Sequence, residues 1–203
     1  MSFFAGIWDY FVKGGPVMYP LLLCSVALIM LGVERYLFYK QADSGSKFVG
    51  RFSDLLENGR LDEARNYAEE NKGIAAGIAV EVMEKSANMP EKIEFFISAK
   101  AERAVDKLEE YISYIAVIVT LSPVLGLLGT ITGMIASFNA LDQRAENPMA
   151  VTAGIGEALI TTVFGLCISI IAVCIHTYFA QKLKIATLNI EETGNALLQA
   201  IKD

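Results

Sequence analysis

Charged side chains are nearly absent from three long stretches of this sequence. Its 17 basic and 23 acidic residues are concentrated between positions 34 and 110, which hold 28 of the 40. Residues 14–33 and 111–141 contain none, and residues 147–181 contain only Glu157. A helix of about 20 residues crosses the ~30 Å hydrocarbon layer of a bilayer. The pattern predicts three membrane spans. The alternative is a soluble bundle with buried central helices, but such helices rarely run 31 residues without a charge.

Residues that carry enzymatic or metal chemistry are also scarce. The chain has one histidine, His176, and three cysteines, Cys24, Cys167 and Cys174, all of which fall in the uncharged stretches. An odd number of such cysteines provides no disulfide framework, and their spacing is not that of a metal site. No pairing of nucleophile and base or phosphate-binding loop is visible. The sequence therefore predicts neither an enzyme nor a cofactor or metal site.

The charge balance excludes another class of partner. The net charge is −6, and no cluster of basic residues is present. Proteins that bind nucleic acids carry a basic patch or stripe, so no nucleic-acid partner is predicted. The lipid bilayer is the predicted environment instead.

The first span is not expected to be a cleaved signal peptide, which needs a basic start and a small-residue cleavage site, because MSFFAGIWDYFVKGG (1–15) precedes the apolar run. Apolar residues occur there at near-helical spacing, with Trp8 and Tyr10 suited to the headgroup region. We expect an amphipathic segment lying in the membrane interface, and a flexible terminus is the alternative.

Lysine and arginine beside the spans predict the orientation, because these residues favour the cytoplasmic side. The segments after span 1, before span 2 and after span 3 lie on one side of the membrane, and this side is rich in basic residues. They are Arg35, Lys40, Lys47, Arg51, Lys100, Arg103, Lys107, Lys182 and Lys184. The other side has only Lys13 and Arg144. The predicted protein is a multi-pass membrane protein, with its N-terminus outside and with residues 34–110 and its C-terminus in the cytoplasm.

The fold class expected from these patterns is an all-α integral membrane protein with long cytoplasmic helical extensions. The break at Asn58-Gly59 predicts a helix-turn-helix pair over residues 52–73. From Pro90 no residue stops a helix before Pro123, so span 2 is expected to continue an amphipathic cytoplasmic helix without a break. The predicted regions are an N-terminal segment (1–13), span 1 (14–38), a cytoplasmic helical region (39–110), span 2 (111–139), a periplasmic turn (140–147), span 3 (148–181) and a C-terminal helix (182–203).

Small residues recur every three or four positions in spans 2 and 3, which lets another helix backbone approach closely. We expect these faces to contact another subunit or a partner, with close packing and no pore as the alternative. Pro123 predicts a bend whose freed backbone groups are bonded by neighbours. The predicted helix-packing positions are Pro123, Gly126, Gly129, Gly133, Ala158 and Gly165.

Four polar residues are the candidate proton-pathway or pore-lining positions: Thr130, Glu157, Thr161 and Thr162. Thr130 and Glu157 each lie nine residues from the outer end of their span, so they are expected near one level of the membrane. An acidic residue inside a membrane is costly and is a functional candidate, although a structural glutamate is the alternative. Threonines do not titrate near neutral pH but can position an acid that does.

These motifs resemble a known family. LSPVLGLLGTITGM (121–134), followed by a short turn and GIGEALITTVFGL (154–166), is similar to the proton-channel family of ExbB, TolQ and MotA. Residues 14–38 are similar to the first span of the ExbB branch, and residues 59–73 are similar to the cytoplasmic region of the family. MotA is a poorer fit, because stator proteins usually have four spans.

The resemblance implies a homopentamer around a central pore that encloses helices of ExbD, a small single-span partner. In that family the partner's membrane aspartate carries protons. By motif position, Thr130 and Thr162 would face it, and Glu157 would tune the pore or its packing. Thr161 departs from the small apolar residue expected there. The implied function is to use the proton motive force to drive TonB in outer-membrane transport. The alternatives are a TolQ-like or gliding-type motor subunit, and a passive membrane scaffold.

Overall fold

The computed structural model describes residue 11 and residues 14–86, 92–143 and 148–202. The side chains of residues 140–143, 148–153, 157 and 202 lie outside this description, although their backbone belongs to helices. The rest of the predicted N-terminal segment, and Pro90, also lie outside it. The described residues form helices α1 (Met18–Ala42), α2 (Ser46–Glu57), α3 (Leu61–Glu70), α4 (Ile74–Ser86), α5 (Ile93–Glu109), α6 (Ile112–Gln143) and α7 (Pro148–Lys202).

The first of two compact units comprises Met1–Gly32 and Ser113–Thr177. Its described side chains include no Asp, Glu, Lys or Arg. Large apolar side chains are exposed on every helix of this unit, among them Leu23, Ile29, Val124, Leu127, Leu159, Val163 and Ile170. Three segments of the described chain are long and apolar enough to cross a membrane, within Met18–Glu57, Ile93–Asn139 and Gly154–Ile201. The prediction of three membrane-spanning helices in an all-α protein is confirmed.

The second unit comprises Val33–Ile112 and Tyr178–Asp203 and has an ordinary buried core. The predicted helix-turn-helix is confirmed as α2 and α3, separated by a turn in which Gly59 has φ 69°. The ring of Phe48 stacks on those of Phe52 and Tyr67, with centroids 5.4 and 5.5 Å apart. The other core side chains from α3, α4 and α5 are small or aliphatic: Ala64, Ala68, Ala75, Ala76, Ile78, Ala79, Val82, Ile93, Ile97, Ala104 and Leu108.

One glycine in this unit is required by its surroundings. Gly73, just before α4, has φ 115°, a conformation that other residues rarely adopt. A Cβ atom at this position would lie 2.6 Å from the backbone nitrogen of Ser44. This close approach lets the Ser44 hydroxyl accept a hydrogen bond of 3.2 Å from the Ala76 N–H, which belongs to the first turn of α4. The Ser44 hydroxyl thus provides a partner for an N–H in the first turn of α4, although the two residues are 32 positions apart in the chain.

The expected continuous helix from residue 90 to residue 139 was wrong. Helix α5 ends at Glu109, and α6 begins at Ile112. Between them Tyr111 has φ 66°, and it is the one described residue other than glycine with positive φ. A left-handed conformation costs a side-chain-bearing residue roughly 1–3 kcal/mol, so contacts elsewhere must offset it.

The contacts that offset this cost come from α1. Arg35 is 1% exposed and donates to the carbonyl oxygens of Lys107 (3.1 Å) and Leu108 (3.4 Å) in the last turn of α5. The Tyr39 hydroxyl donates to the same Leu108 oxygen at 2.9 Å. The guanidinium also lies 5.0 Å from the ring centroid of Tyr111. The carbonyls that a helix end leaves without partners are therefore bonded by two side chains, which stabilises the break.

The remaining helix bounds also differ from the predicted regions. Helix α6 continues to Gln143, into the predicted turn, and residues 144–147 are not among those described. Helix α7 runs from Pro148 to Lys202 without interruption, so the predicted span 3 and C-terminal helix are one element. No glycine or proline near position 181 supplies a reason for it to stop.

Candidate functional site

Helices α6 and α7 meet along a line of small residues in the first unit. A Cβ placed on Gly133 would lie 2.6 Å from the Ala158 Cβ, and one on Gly129 would lie 2.6 Å from the Thr161 Cβ. Further along, a Cβ on Gly165 would lie 2.5 Å from the Ser122 carbonyl oxygen. The pairs run in opposite directions along the two helices, as expected for antiparallel neighbours. We call this contact the glycine seam: Ser122, Gly126, Gly129, Gly133 and Ser137 of α6 against Gly154, Ala158, Thr161, Thr162, Gly165 and Ser169 of α7.

The seam lies within one chain. We expected its small residues to contact another subunit or a partner, but at Gly129, Gly133 and Gly165 the space is already filled by the neighbouring helix of the same chain. Small residues at this spacing bring two backbones together, and helix α7 is the helix that follows α6 along the chain. The seam therefore fixes the α6–α7 pair itself.

Pro123 removes a backbone donor from α6, and α7 replaces it. Proline has no N–H, so the carbonyl four residues earlier, that of Val119, loses its helical partner. The Ser169 hydroxyl of α7 donates to this oxygen at 2.8 Å. In an apolar environment an unsatisfied carbonyl is costly, so this bond ties the two helices together beside Pro123.

Two adjacent threonines of α7 both bond across the seam. The Thr162 hydroxyl donates to the Gly126 carbonyl oxygen at 2.9 Å. The Thr161 hydroxyl donates to the Ala158 oxygen at 2.7 Å and more weakly to the Gly126 oxygen at 3.3 Å. On α6, the Thr130 hydroxyl donates to the Leu127 oxygen at 2.7 Å. Each hydroxyl has a single hydrogen, so while these bonds are made the three oxygens accept hydrogen bonds from any further group.

The three predicted threonines differ in exposure. Thr161 is 1% exposed and Thr130 is 9% exposed, whereas Thr162 is half-buried. Thr161 presents almost no surface beyond its own chain, which argues for a packing role rather than a pore-lining one. Thr162 combines a hydroxyl bonded to Gly126 with a side chain that remains partly exposed.

Glu157 lies on α7 directly before Ala158, which packs on Gly133. Its side chain falls outside the described residues. His176 is half-buried near the end of the first unit, at Thr177. The residues that define the seam are glycine, alanine, serine and threonine, and none of them carries a carboxyl group.

Two polar members of the seam were not predicted from sequence. Ser122 and Ser137 are buried, and their hydroxyls donate to the Ile118 (2.8 Å) and Gly133 (2.9 Å) carbonyl oxygens of their own helix. Their spacing from the glycines is the feature of the sequence that could have predicted them. Ser122, Gly126, Gly129, Gly133 and Ser137 are spaced by three or four residues, so the serines extend the glycine face at both ends.

Comparison with known proteins shows which family contains this helix pair. Residues 66–192, which include the whole seam, match the profile of the MotA/TolQ/ExbB proton channel family. The chain belongs to this family. Together with the three apolar helices, this makes it a multi-pass membrane protein of a transport and channel family.

Individual relatives match over different shares of the chain. The biopolymer transport protein ExbB-like 1 of Synechocystis is 34% identical over 175 residues, which are 82% of this chain and 68% of that protein. The biopolymer transport protein ExbB of Salmonella typhimurium is 31% identical over 150 residues, 71% of this chain and 56% of that protein. The Tol-Pal system protein TolQ of Pseudomonas aeruginosa is 37% identical over 81 residues, 39% of this chain and 35% of that protein. The similarity to ExbB proteins thus extends well beyond the part shared with TolQ.

Proposed function

We propose that this chain is the proton-channel subunit of an ExbB–ExbD-type motor in the inner membrane. Several copies, five by analogy with the family, surround the membrane helices of a single-span partner that carries an aspartate. The complex uses the proton motive force to drive a TonB-like protein in outer-membrane transport. Family membership and the ExbB relatives support this proposal.

The observation that carries the proposal is the hydrogen-bond state of the threonines. Thr162 gives its hydrogen to Gly126, and Thr130 gives its hydrogen to Leu127. An oxygen that can only accept stabilises a protonated carboxylic acid, which has an O–H to donate. An ionised carboxylate beside it gains a hydrogen bond only if the threonine hydroxyl gives up its bond to the backbone carbonyl. We infer that these threonines favour the neutral form of a partner's aspartate as it passes, which lowers the cost of moving the proton-loaded acid through an apolar wall.

Proton conduction should therefore require the partner's carboxyl group. The complex and the chain alone are reconstituted in liposomes that contain a pH-sensitive dye, and an inside-negative potential is applied. We expect acidification only with the complex, and its loss when the partner's aspartate is replaced by asparagine. Acidification by the chain alone would contradict the proposal, and no acidification in any sample would favour a passive scaffold.

A TolQ-like load is the second candidate, because TolQ proteins match the segment that contains the motor motifs. The proton-driven complex in the membrane would be the same, and only the protein that it drives would differ. Complementation separates the two loads: the gene should restore TonB-dependent uptake of iron complexes to cells that lack ExbB and TolQ. Restoration of outer-membrane integrity without uptake would identify a Tol-type load.

The proposed orientation places the N-terminus outside and residues 34–110 in the cytoplasm, on the evidence of the lysine and arginine bias. Single cysteines are introduced in a background in which Cys24, Cys167 and Cys174 are replaced. In intact cells a membrane-impermeant maleimide should label position 144 and leave position 65 unlabelled until the cells are opened. The reverse pattern would contradict the orientation and with it the proposed proton path.

A further inference from the structure

A groove in the second unit has no role in the proposed proton path. It has a volume of about 290 Å³ and is lined by Tyr36, Tyr39, Lys40, Asp43, Tyr178, Phe179 and Lys182. Tyr39 and Phe179 are buried and stack with their ring centroids 5.7 Å apart. Tyr36 and Tyr178 are 56% and 49% exposed. The groove therefore has an aromatic base and two accessible tyrosines.

Two lysines supply the charge of this groove. Lys182 Nζ lies 3.7 Å from Asp43 Oδ2, a long ion pair that leaves most of the ammonium hydrogens available. Lys40 has no carboxylate within ion-pair distance in the described part of the chain. Two lysines and one aspartate give the groove a net charge of +1, which matches one singly charged anion.

The groove lies where α1 and α7 change from apolar to polar sequence. The last residue of the uncharged stretch in α1 is Val33, and Lys182 is the first charge after the long apolar part of α7. Tyrosine and tryptophan are enriched at this level of membrane proteins, and basic pockets between helices there bind lipid headgroups. Val33, Tyr36 and Lys40 succeed one another at spacings of three and four, so an exposed face of α1 that begins with an apolar residue leads to Lys40.

We infer that this groove binds the headgroup phosphate of an anionic phospholipid, with Lys40 and Lys182 contacting the phosphodiester and the acyl chains lying along the exposed face of α1. The tyrosine hydroxyls of Tyr36 and Tyr178 are available to donate to headgroup oxygens. This inference rests on the membrane placement in the proposed function but not on proton transport.

Charge and environment favour a lipid over other phosphates. A phosphodiester headgroup such as that of phosphatidylglycerol carries one negative charge, which balances the net +1 of the groove. Free phosphate and nucleotides carry more charge and would leave an excess beside Asp43. A lipid also covers the exposed apolar residues that precede Lys40 on α1, which a water-soluble anion does not.

Lipid retention tests the inference without a partner or a membrane potential. The assembled protein is placed in nanodiscs of mixed phosphatidylcholine and phosphatidylglycerol, and retained lipids are counted by native mass spectrometry. We expect retained phosphatidylglycerol, with about a five-fold loss in Lys40→Gln or Lys182→Gln and roughly a 25-fold loss in the double variant. Lys184→Gln is the matched control, because this exposed lysine on the same helix does not line the groove.

Each other outcome counts against the inference. Unchanged retention in the double variant, equal retention of phosphatidylcholine, or an equal loss in Lys184→Gln would overturn it. The same spectra show whether the variants assemble. If the double variant does not assemble, the unmodified protein is tested with a photoreactive phosphatidylglycerol. Its headgroup must crosslink to residues 36–43 or 178–182, and its failure to do so would overturn the inference.

Displacement by free phosphate, or crosslinking of these residues to a neighbouring subunit instead, would assign the groove to another occupant. If the liposome experiment shows no proton flux but phosphatidylglycerol is retained, the result would contradict the proposed function and still support the lipid site.

Discussion

Gly165→Ala is expected to separate helices α6 and α7, although it adds only one methyl group. The new Cβ would lie 2.5 Å from the Ser122 carbonyl oxygen and 3.1 Å from the Gly126 Cα. Both are backbone atoms, so no side chain can rotate away to make room. Overpacking of this kind costs roughly 1–3 kcal/mol. It also pulls apart the hydrogen bonds from Ser169 to Val119 and from Thr162 to Gly126.

Gly156→Ala is the matched control for this prediction. Gly156 lies on the same helix, is exposed, and has no atom within 4 Å of the position of its Cβ. Alanine there should be neutral or stabilising by up to about 1 kcal/mol, because it favours the helix more than glycine does. Unfolding in mixed micelles by titration with denaturing detergent compares the two free energies. Equal stability of the two variants would show that the close approach at Gly165 is not needed.

The sequence allowed the membrane helices to be predicted but not the break between α5 and α6. Absence of charge over 20 or more residues is a local property, so the apolar helices follow from it directly. The break depends on Tyr111 in a left-handed conformation and on Arg35, which is 72 residues before its first acceptor, Lys107. No glycine or proline marks the position. A tertiary contact of this kind overrides a local pattern that is helical throughout.

The same distinction explains the candidate site. The spacing of Gly126, Gly129 and Gly133 showed that a helix would approach closely, but spacing does not identify which helix. Pro123 likewise predicted that a neighbour would bond the freed carbonyl, yet the donor, Ser169, lies 50 residues from Val119. Residue types thus predicted the kind of contact, and only the register of the antiparallel pair determined the partners.

Thr162→Val is expected to reduce proton-driven transport sharply while the complex still assembles. Valine keeps the shape of threonine, and the Gly126 carbonyl retains Thr161 as a second donor at 3.3 Å, so little stability should be lost. The lost feature is the oxygen that would accept from a partner's protonated acid. A buried group left unsatisfied costs about 1–3 kcal/mol, which corresponds to a decrease of roughly 5- to 150-fold in rate.

Thr162→Ser and Thr120→Val are the controls for this substitution. Serine restores the hydroxyl and should restore most of the transport. Thr120 is exposed on α6 and donates to the Val117 oxygen of its own helix at 3.0 Å, so valine there should change little. Transport is measured as proton-driven uptake in cells with matched expression, and assembly is measured by native mass spectrometry. Wild-type transport in Thr162→Val would rule out a role for this hydroxyl.

Glu157 requires a different comparison, because it is the one acidic residue in residues 147–181 and could carry the proton itself. Glu157→Gln keeps the size and hydrogen-bonding capacity of the side chain but cannot exchange a proton, whereas Glu157→Ala removes both. If an acid on the partner carries the proton, the glutamine variant should retain a substantial fraction of proton-driven uptake and the alanine variant should retain less. We expect this partial retention, because the accept-only oxygens of Thr130 and Thr162 suit an acid that arrives protonated from another chain. Equal and complete loss in both variants, with assembly intact, would show that Glu157 is itself the proton carrier.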